Sequence, residues 1–225
     1  CILLQLVATG KPLSTVGMRI EDRTRTFIIA MERTVVPENF SFRMTDEEYR
    51  VLEKIKNSIP VCYLADHADF ALGIVTGNNK KFLSAEKTEH SEMVLKGTDI
   101  CKYHINPAKQ YLRFEPEQFQ QVAPLEIYRA PEKLLYRFIS NQLVVAYDDR
   151  QMLSLNSCNI VIPKIEGMQI KYILAILNSS VSQFVYQKEF HSIKVLRAHM
   201  EHIPIPRVGK AIQNEIIAMT EPLIC

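Results

Sequence analysis

No apolar run in this sequence approaches the ~20 residues that a membrane-spanning helix needs, which excludes such a segment. The five cysteines, at positions 1, 62, 101, 158 and 225, are odd in number, widely spaced and free of any Cys-x-x-Cys pair. That pattern excludes a disulfide framework or zinc ribbon and points to a reducing compartment. Neither sign of charge dominates: the net charge is only +2, which permits a polyanionic partner without demanding one. Glycine is scarce, 7 in 225 residues, and with 47% hydrophobic and 23% charged residues the composition excludes a disordered chain. Gly-x-Ser-x-Gly, a phosphate-binding loop and His-Glu-x-x-His are all missing, so the common signatures of hydrolases, nucleotide enzymes and zinc proteases are excluded.

The length suits one large domain or two small ones. The chain opens on Cys1-Ile-Leu-Leu-Gln-Leu-Val7, with neither a Met nor a basic leader and cleavage site, and is expected to begin mid-protein.

Taken in order, Thr15–Ile20 and Thr26–Met31 read as two strands of a hairpin across the charged link Glu21–Arg25. Val35-Val-Pro37 and Asn39 break the pattern. Thr45 and Glu48 form a capping box, and Tyr49, Leu52 and Ile55 share one face of the helix that follows. Asn57, Ser58 and Pro60 stop that helix and mark the best candidate boundary. Asp66-His67-Ala68-Asp69 sets two carboxylates beside a histidine, but strand alternation scatters them, so a polar turn is the reading.

The focal stretch is Ala71-Leu-Gly-Ile-Val-Thr-Gly-Asn-Asn-Lys-Lys-Phe82. A short apolar run ends in the turn-prone cluster Thr76, Gly77, Asn78 and Asn79, followed by Lys80 and Lys81. Read physically, a strand delivers amide and ammonium donors to a surface loop. Asn can pair two-pronged with the edge of an adenine and Lys can sit on a phosphate. The plainer alternative is an ordinary strand–turn–strand in which Asn and Gly tolerate positive φ.

Residues 84 to 94 read as a polar, mobile segment. Ile100–Ile105 and Tyr111–Phe114 read as two strands joined across Asn106–Lys109. Alternation there puts Lys102 and His104 on one face and Cys101, Tyr103 and Ile105 on the other. Residues 112 to 130 read as a connector. Leu134–Ile139, Leu143–Tyr147 and Asn159–Ile162 follow as an antiparallel meander. The adjacent Asp148 and Asp149 belong to its turn, since the Glu-x-Lys partner of a metal-dependent nuclease is absent. Gln169–Tyr186 has helical periodicity interrupted by Asn178-Ser-Ser180, which can stop one helix and start the next. His191, Ser192 and Lys194 lie on the loop after it, and a further helix is expected from about Ile193 to His202. Ile203-Pro-Ile-Pro206 forces an extended strap. Val208–Met219 reads as a last helix with Ile212, Ile216 and Met219 in register. Cys101-x-x-His104 and His199-x-x-His202 do not combine into a four-ligand zinc site, so no metal is assigned.

Four segments carry a resemblance in the same order and spacing: the focal stretch, Leu95-Lys-Gly-Thr-Asp-Ile100 with Tyr103, Leu174-Ala-Ile-Leu-Asn-Ser-Ser180, and His202-Ile-Pro-Ile-Pro206. From about residue 60 to 210 the chain resembles the TaqI-like C-terminal specificity domain, the target-recognition part of adenine-specific DNA methyltransferases and restriction–modification enzymes. The resemblance implies an α+β fold: an antiparallel β-sheet target-recognition domain with packed helices, followed by a C-terminal helix. It implies residues 1–60 as the end of, or link from, an upstream catalytic domain, 61–207 as the recognition domain and 208–225 as the start of a helical segment. The last segment resembles the helical spacer of type I specificity subunits. Double-stranded DNA and an upstream methyltransferase domain are the implied partners, without a membrane, in a prokaryotic cytoplasm.

No catalytic residue is expected in this chain. A Gly-rich methyl-donor loop and an (Asn/Asp/Ser)-Pro-Pro-aromatic motif for a flipped base are both absent, and Asn106-Pro-Ala-Lys109 cannot substitute. No cofactor is therefore expected here, and S-adenosylmethionine would belong to the parent enzyme. Loops around 76–81, 96–104 and 187–194 are expected to face DNA. Thr76, Asn78 and Asn79 are the candidates for base edges, and Lys80, Lys81, Lys102 and Lys194 for phosphates. Arg129 and Arg137 suit either role, with His104 and His191 as further contacts. The rival class is a protein-interaction or assembly module, or a half resembling a type I specificity subunit, docking through its C-terminal helices.

Overall fold

The capping box at Thr45 forms as its sequence predicts: Glu48 N donates to Thr45 Oγ1 (3.2 Å) and Thr45 N donates to Glu48 Oε2 (2.9 Å). In the computed structural model, residues 16–21, 25–33, 44–190 and 192–224 are described. Residues 1–54 and 55–225 form two units. In the first unit, strands β1 (Arg19–Glu21) and β2 (Thr26–Ile28) pair antiparallel, as expected of the hairpin. The expected break at Val35–Pro37 and Asn39 lies outside the described residues. Helix α1 (Asp46–Asn57) turns Leu52 inward. The buried Arg33 guanidinium reaches Asp46 (2.6 Å) and holds its carboxyl below the ordinary aspartate value.

In the second unit, β3 (Val61–Cys62) and β4 (Ala68–Ala71) lead to α2 (Asn79–Phe82), β5 (Leu83–Ser84), β6 (Ser91–Leu95) and β7 (Tyr111–Arg113). Then come α3 (Leu125–Tyr128), β8 (Lys133–Arg137), β9 (Val145–Asp148), β10 (Leu153–Ser154) and β11 (Cys158–Pro163). Helices α4 (Ile170–Asn178), α5 (Ser180–Glu189) and α6 (Arg197–Glu201), strand β12 (Ile205–Pro206) and helix α7 (Lys210–Thr220) complete the chain. The architecture is α+β. One sheet has the order β4-β11-β8-β9 and is antiparallel throughout. The other has the order β10-β6-β7-β5 and carries one parallel pair, β10 with β6. The Ile-Pro strap enters as β12, paired with β3.

Two readings of the sheets are corrected. The run after Val145 is not a simple meander, because β11 passes β9 and pairs with the far side of β8. The chain between them detours through β10 into the second sheet, drawn by the buried Leu153 and Leu155. Residues 84–94 are not merely a polar segment either. Met93-Val94-Leu95 carries β6 between β7 and β10, and Val94 and Leu95 are fully buried.

The turn from Leu153 to Cys158 ties the two sheets together. Ser154 O accepts from Ile74 N (2.7 Å), Leu155 N donates to Leu95 O (2.8 Å), and Ser157 O accepts from Phe138 N (3.0 Å). Two glycines allow this approach. A Cβ at Gly73 would lie 2.1 Å from Leu155 O, and one at Gly97 would lie 2.4 Å from Ser157 O. Gly97 N also donates to Ser157 Oγ (2.9 Å). The core around this turn includes Ile74, Phe82, Leu112, Tyr128, Leu135 and Ile160.

Inside the antiparallel sheet, Lys133 and Asp148 face each other across β8 and β9 with both side chains fully buried and 2.6 Å between charges. Burial pulls the Lys133 ammonium below its ordinary value, against the opposing pull of Asp148. The carboxylate also accepts from Arg150 N and Met152 N, both at 2.9 Å. These bonds and the Lys133 ammonium engage both oxygens of the Asp148 carboxylate.

Helices α4 and α5 break where Asn178-Ser-Ser180 predicts, with Ser179 Oγ capping α5 by accepting from Ser182 N (3.1 Å). Asn178 turns inward and makes two bonds to the Val145 backbone. The helix expected from Ile193 starts only at Arg197, because Ser140 N and Val195 N bind the Ile193 and Phe138 carbonyls and keep 193–195 extended. In α7 the expected apolar register is partly turned outward: Ile212 and Met219 are exposed, while Gln213 is fully buried. Gln213 donates to the Gly167 and Val208 carbonyls and accepts from Gln169 N.

Replacing Gly73 or Gly97 by Ala is expected to lower stability to urea by about 1–3 kcal/mol or more, since backbone must move to admit the methyl. Gly209→Ala, where nothing lies within 4 Å, serves as the near-neutral control. Lys133→Met is expected to cost about 3–5 kcal/mol by leaving Asp148 buried and unpaired, with part of the loss recovered by adding Asp148→Asn.

Candidate nucleic-acid interface

The loop after β4 is shaped by what it anchors. Thr76 is buried, and its hydroxyl donates to Asn79 Oδ1 (2.6 Å). Gly77 adopts φ +75°, a conformation glycine reaches without strain. Asn78 caps the single turn α2, its Oδ1 accepting from Lys81 N (3.2 Å). Phe82 then plugs the core, edge-on to Phe119 at 5.2 Å. Residues 77–81 are left exposed. Lys80 has no partner among the described residues, whereas Lys81 donates to Gln118 (2.6 Å) and lies 4.8 Å from the Phe82 ring centroid.

Thr76 therefore departs from the expectation: its side chain positions the loop from inside and presents nothing at the surface. The carbonyl oxygens of Asn78 and Asn79 already accept internal bonds. Each amide NH2 is without a partner among the described residues, so these residues offer donors more readily than the two-pronged pairing expected of Asn.

The segment 96–104 differs most from its reading. Ile100–Ile105 is not a strand paired with β7. Ile100 and Ile105 bridge each other, Cys101 N donates to His104 O (3.0 Å), and Tyr103 sits at φ +74°. Tyr103 exchanges backbone bonds with Val145 and Tyr147, bridging the edge of β9 in parallel at Ala146. The expected alternation of Lys102 and His104 is lost in that turn. Lys102 is half-buried and donates to Asn178 O (3.0 Å) at the C-terminal end of α4, where a cation complements the helix dipole. Burial lowers its pKa. His104 is half-buried.

Arg137 is likewise used inside, donating from Nε to Gly97 O (2.9 Å) and from Nη2 to Ile100 O (2.5 Å). It holds the Lys-Gly-Thr-Asp turn against β8. Arg129 is clamped by both oxygens of Glu92 (2.6 Å each) and by Gln151 O (2.7 Å). His191 lies outside the described residues. Lys194 is exposed, 5.6 Å from the Phe138 ring centroid.

The structure thus brings 96–104 and 193–195 to the same end of β8, through Arg137 and Phe138, and hangs 76–81 beyond the Ile74 contact with Ser154. Sequence reasoning passed over Lys87 and Arg150, both exposed and without partners among the described residues. Only their place in the fold distinguishes them from other surface cations. Among the described residues no cluster of three or more His, Cys, Asp or Glu is placed to hold a metal, and no helix is long and apolar enough to cross a membrane.

Among solved structures, this chain is similar to one from a study of complex assembly and conformational transition in the type I R-M system. The TM-score is 0.48 with 13% identity, over 79% of this chain and 44% of that one. It is also similar to the HsdS subunit from Thermoanaerobacter tengcongensis (TM-score 0.46, 11% identity, 79% and 43% coverage) and to the type IIG restriction endonuclease BpuSI (0.46, 10%, 78% and 28%). The chain spans less than half the length of each. No curated protein matches it. The family model of the TaqI-like C-terminal specificity domain matches residues 92–205, just over half of the chain, from β6 through β12. This chain belongs to the family of TaqI-like C-terminal specificity domains.

Proposed function

We propose that this chain is the DNA target-recognition module of a type II restriction–modification enzyme acting on adenine. It holds the duplex while methyl transfer from S-adenosylmethionine is done by a domain outside these residues. The family match over residues 92–205 carries this reading. Residues 1–60 would be the end of, or link from, that catalytic domain, 61–207 the recognition domain and 208–225 the start of a helical segment.

Lys80, Lys81 and Lys194 are exposed cations of the nominated loops and suit phosphate oxygens, Lys81 while also donating to Gln118. Asn78 and Asn79 offer amide donors that suit acceptors on base edges, such as the O6 and N7 of guanine or the O4 of thymine. Lys102, Arg129 and Arg137 act as scaffold, fixing the turns on which the contacts ride. A second reading, an assembly module docking through its C-terminal helices, is favoured by the exposure of Ile212, Met219 and Leu223.

Salt dependence separates the two. On a mixed-sequence duplex, Lys80→Ala is expected to lower the slope of log K against log[salt] by about 0.9, one phosphate contact. An unchanged slope removes that loop from the interface. Replacing Ile212 and Met219 by polar residues is expected to leave duplex affinity unchanged. Incubated with labelled methyl donor and duplex, the chain alone is expected to transfer no label.

A further inference from the structure

Three of the cations nominated from sequence are held by the scaffold, and two that the sequence did not single out stand over one recess. Strands β5 and β6 flank β7 on opposite sides, so the link from Ser84 to Ser91 crosses a face of β7. The crossing is pinned by a tight turn in which Thr88 N donates to Ser91 Oγ (2.7 Å) and Ser91 N to Thr88 O (3.2 Å). Beside it lies a recess of about 330 Å³ whose floor is the cross-strand pair Met93 and Tyr111. Its walls carry Lys87 from the crossing, Arg129 from the end of α3, and Arg150 from the β9–β10 turn.

The lining holds three cations and one carboxylate, Glu92, which is engaged by Arg129. That clamp and the bond to Gln151 O fix the Arg129 guanidinium in place. Arg150 is fixed through its backbone: Asp148, locked by the buried Lys133, accepts from the amides of Arg150 and Met152. Gln151 between them sits at φ +56°, a conformation that a non-glycine residue holds only where its surroundings impose it. The Lys87 and Arg150 side chains have no partner among the described residues, and the two residues line the recess from different elements. Strand β5 links this crossing directly to α2, which carries the exposed Lys80.

We propose that this recess seats one backbone phosphate of duplex DNA, held by the Lys87 ammonium and the Arg150 guanidinium, with Arg129 beneath them. A phosphodiester carries one negative charge spread over two free oxygens, which two unpaired cations on the same recess can share. The proposal rests on the DNA-recognition reading and adds a contact away from the base-reading loop. The contact fixes register and carries no sequence information of its own.

The test is equilibrium binding of the full chain to two duplexes of unrelated sequence across a salt series. Lys87→Ala combined with Arg150→Ala is expected to lower the slope of log K against log[salt] by about 0.9, equally on both duplexes. Lys87→Arg with Arg150→Lys, which keeps both charges, is expected to retain the slope. The thermal midpoint is expected to stay unchanged, because neither side chain has an internal partner.

A weaker affinity with an unchanged slope, or a loss confined to one duplex, overturns the phosphate assignment. An unchanged slope in this variant alongside a lowered slope in Lys80→Ala overturns the recess and keeps the DNA reading. Failure of the unmodified chain to bind either duplex overturns both.

Discussion

Everything in the larger unit depends on how closely three backbones can approach the turn from Leu153 to Cys158. The strand after β4 reaches it at Gly73, the Lys-Gly-Thr-Asp turn reaches it at Gly97, and β8 hands it a bond from Phe138 N. A side chain at either glycine would push oxygen and carbon to distances that folded proteins do not tolerate, so the two sheets would part. Chain is brought together here from four regions far apart in sequence. Such contacts need the whole loop-closure entropy to be overcome before they contribute.

That constraint also decides what the cations do. A basic side chain near a tight turn is recruited by carbonyls left over when the chain bends, since a buried unpaired carbonyl is costly. Arg137 satisfies Gly97 and Ile100, Lys102 satisfies the last turn of α4, and Lys133 satisfies Tyr128 O and Asp148. Cations on the outer loops, such as Lys80 and Lys87, are exposed and have no side-chain partner among the described residues. Arg137, beside the Lys-Gly-Thr-Asp turn, is bonded to that turn's own carbonyls.

Much of the local structure was legible. The Thr45–Glu48 box, the Ser179 break between α4 and α5, and the β1–β2 hairpin each rest on bonds within a few residues. Propensity and capping chemistry see such bonds directly. The family was legible too, from four short segments in order. The strand pairing was not. β11 beside β8, and β10 in a parallel pair with β6, are choices among strands of similar apolar content, and periodicity carries no information about the partner. The turn at 101–104 was read as a strand because Cys-Lys-Tyr-His alternates. The positive φ of Tyr103 and the Cys101 N to His104 O bond turn the chain there, which alternation cannot reveal. Gln213 was hidden for a related reason: a polar residue in a helix reads as exposed until three backbone groups of other segments converge on it.

The sequence by itself determined the class of the fold, the helix limits at Thr45 and Ser179, and membership of a specificity-domain family, because these follow from residue type and near-neighbour order. Only the tertiary structure decided which donors remain at the surface. Whether a lysine or asparagine is free depends on the carbonyls and carboxylates that distant segments bring beside it. That convergence is set by two glycines and a turn about sixty and eighty residues away from them in the chain.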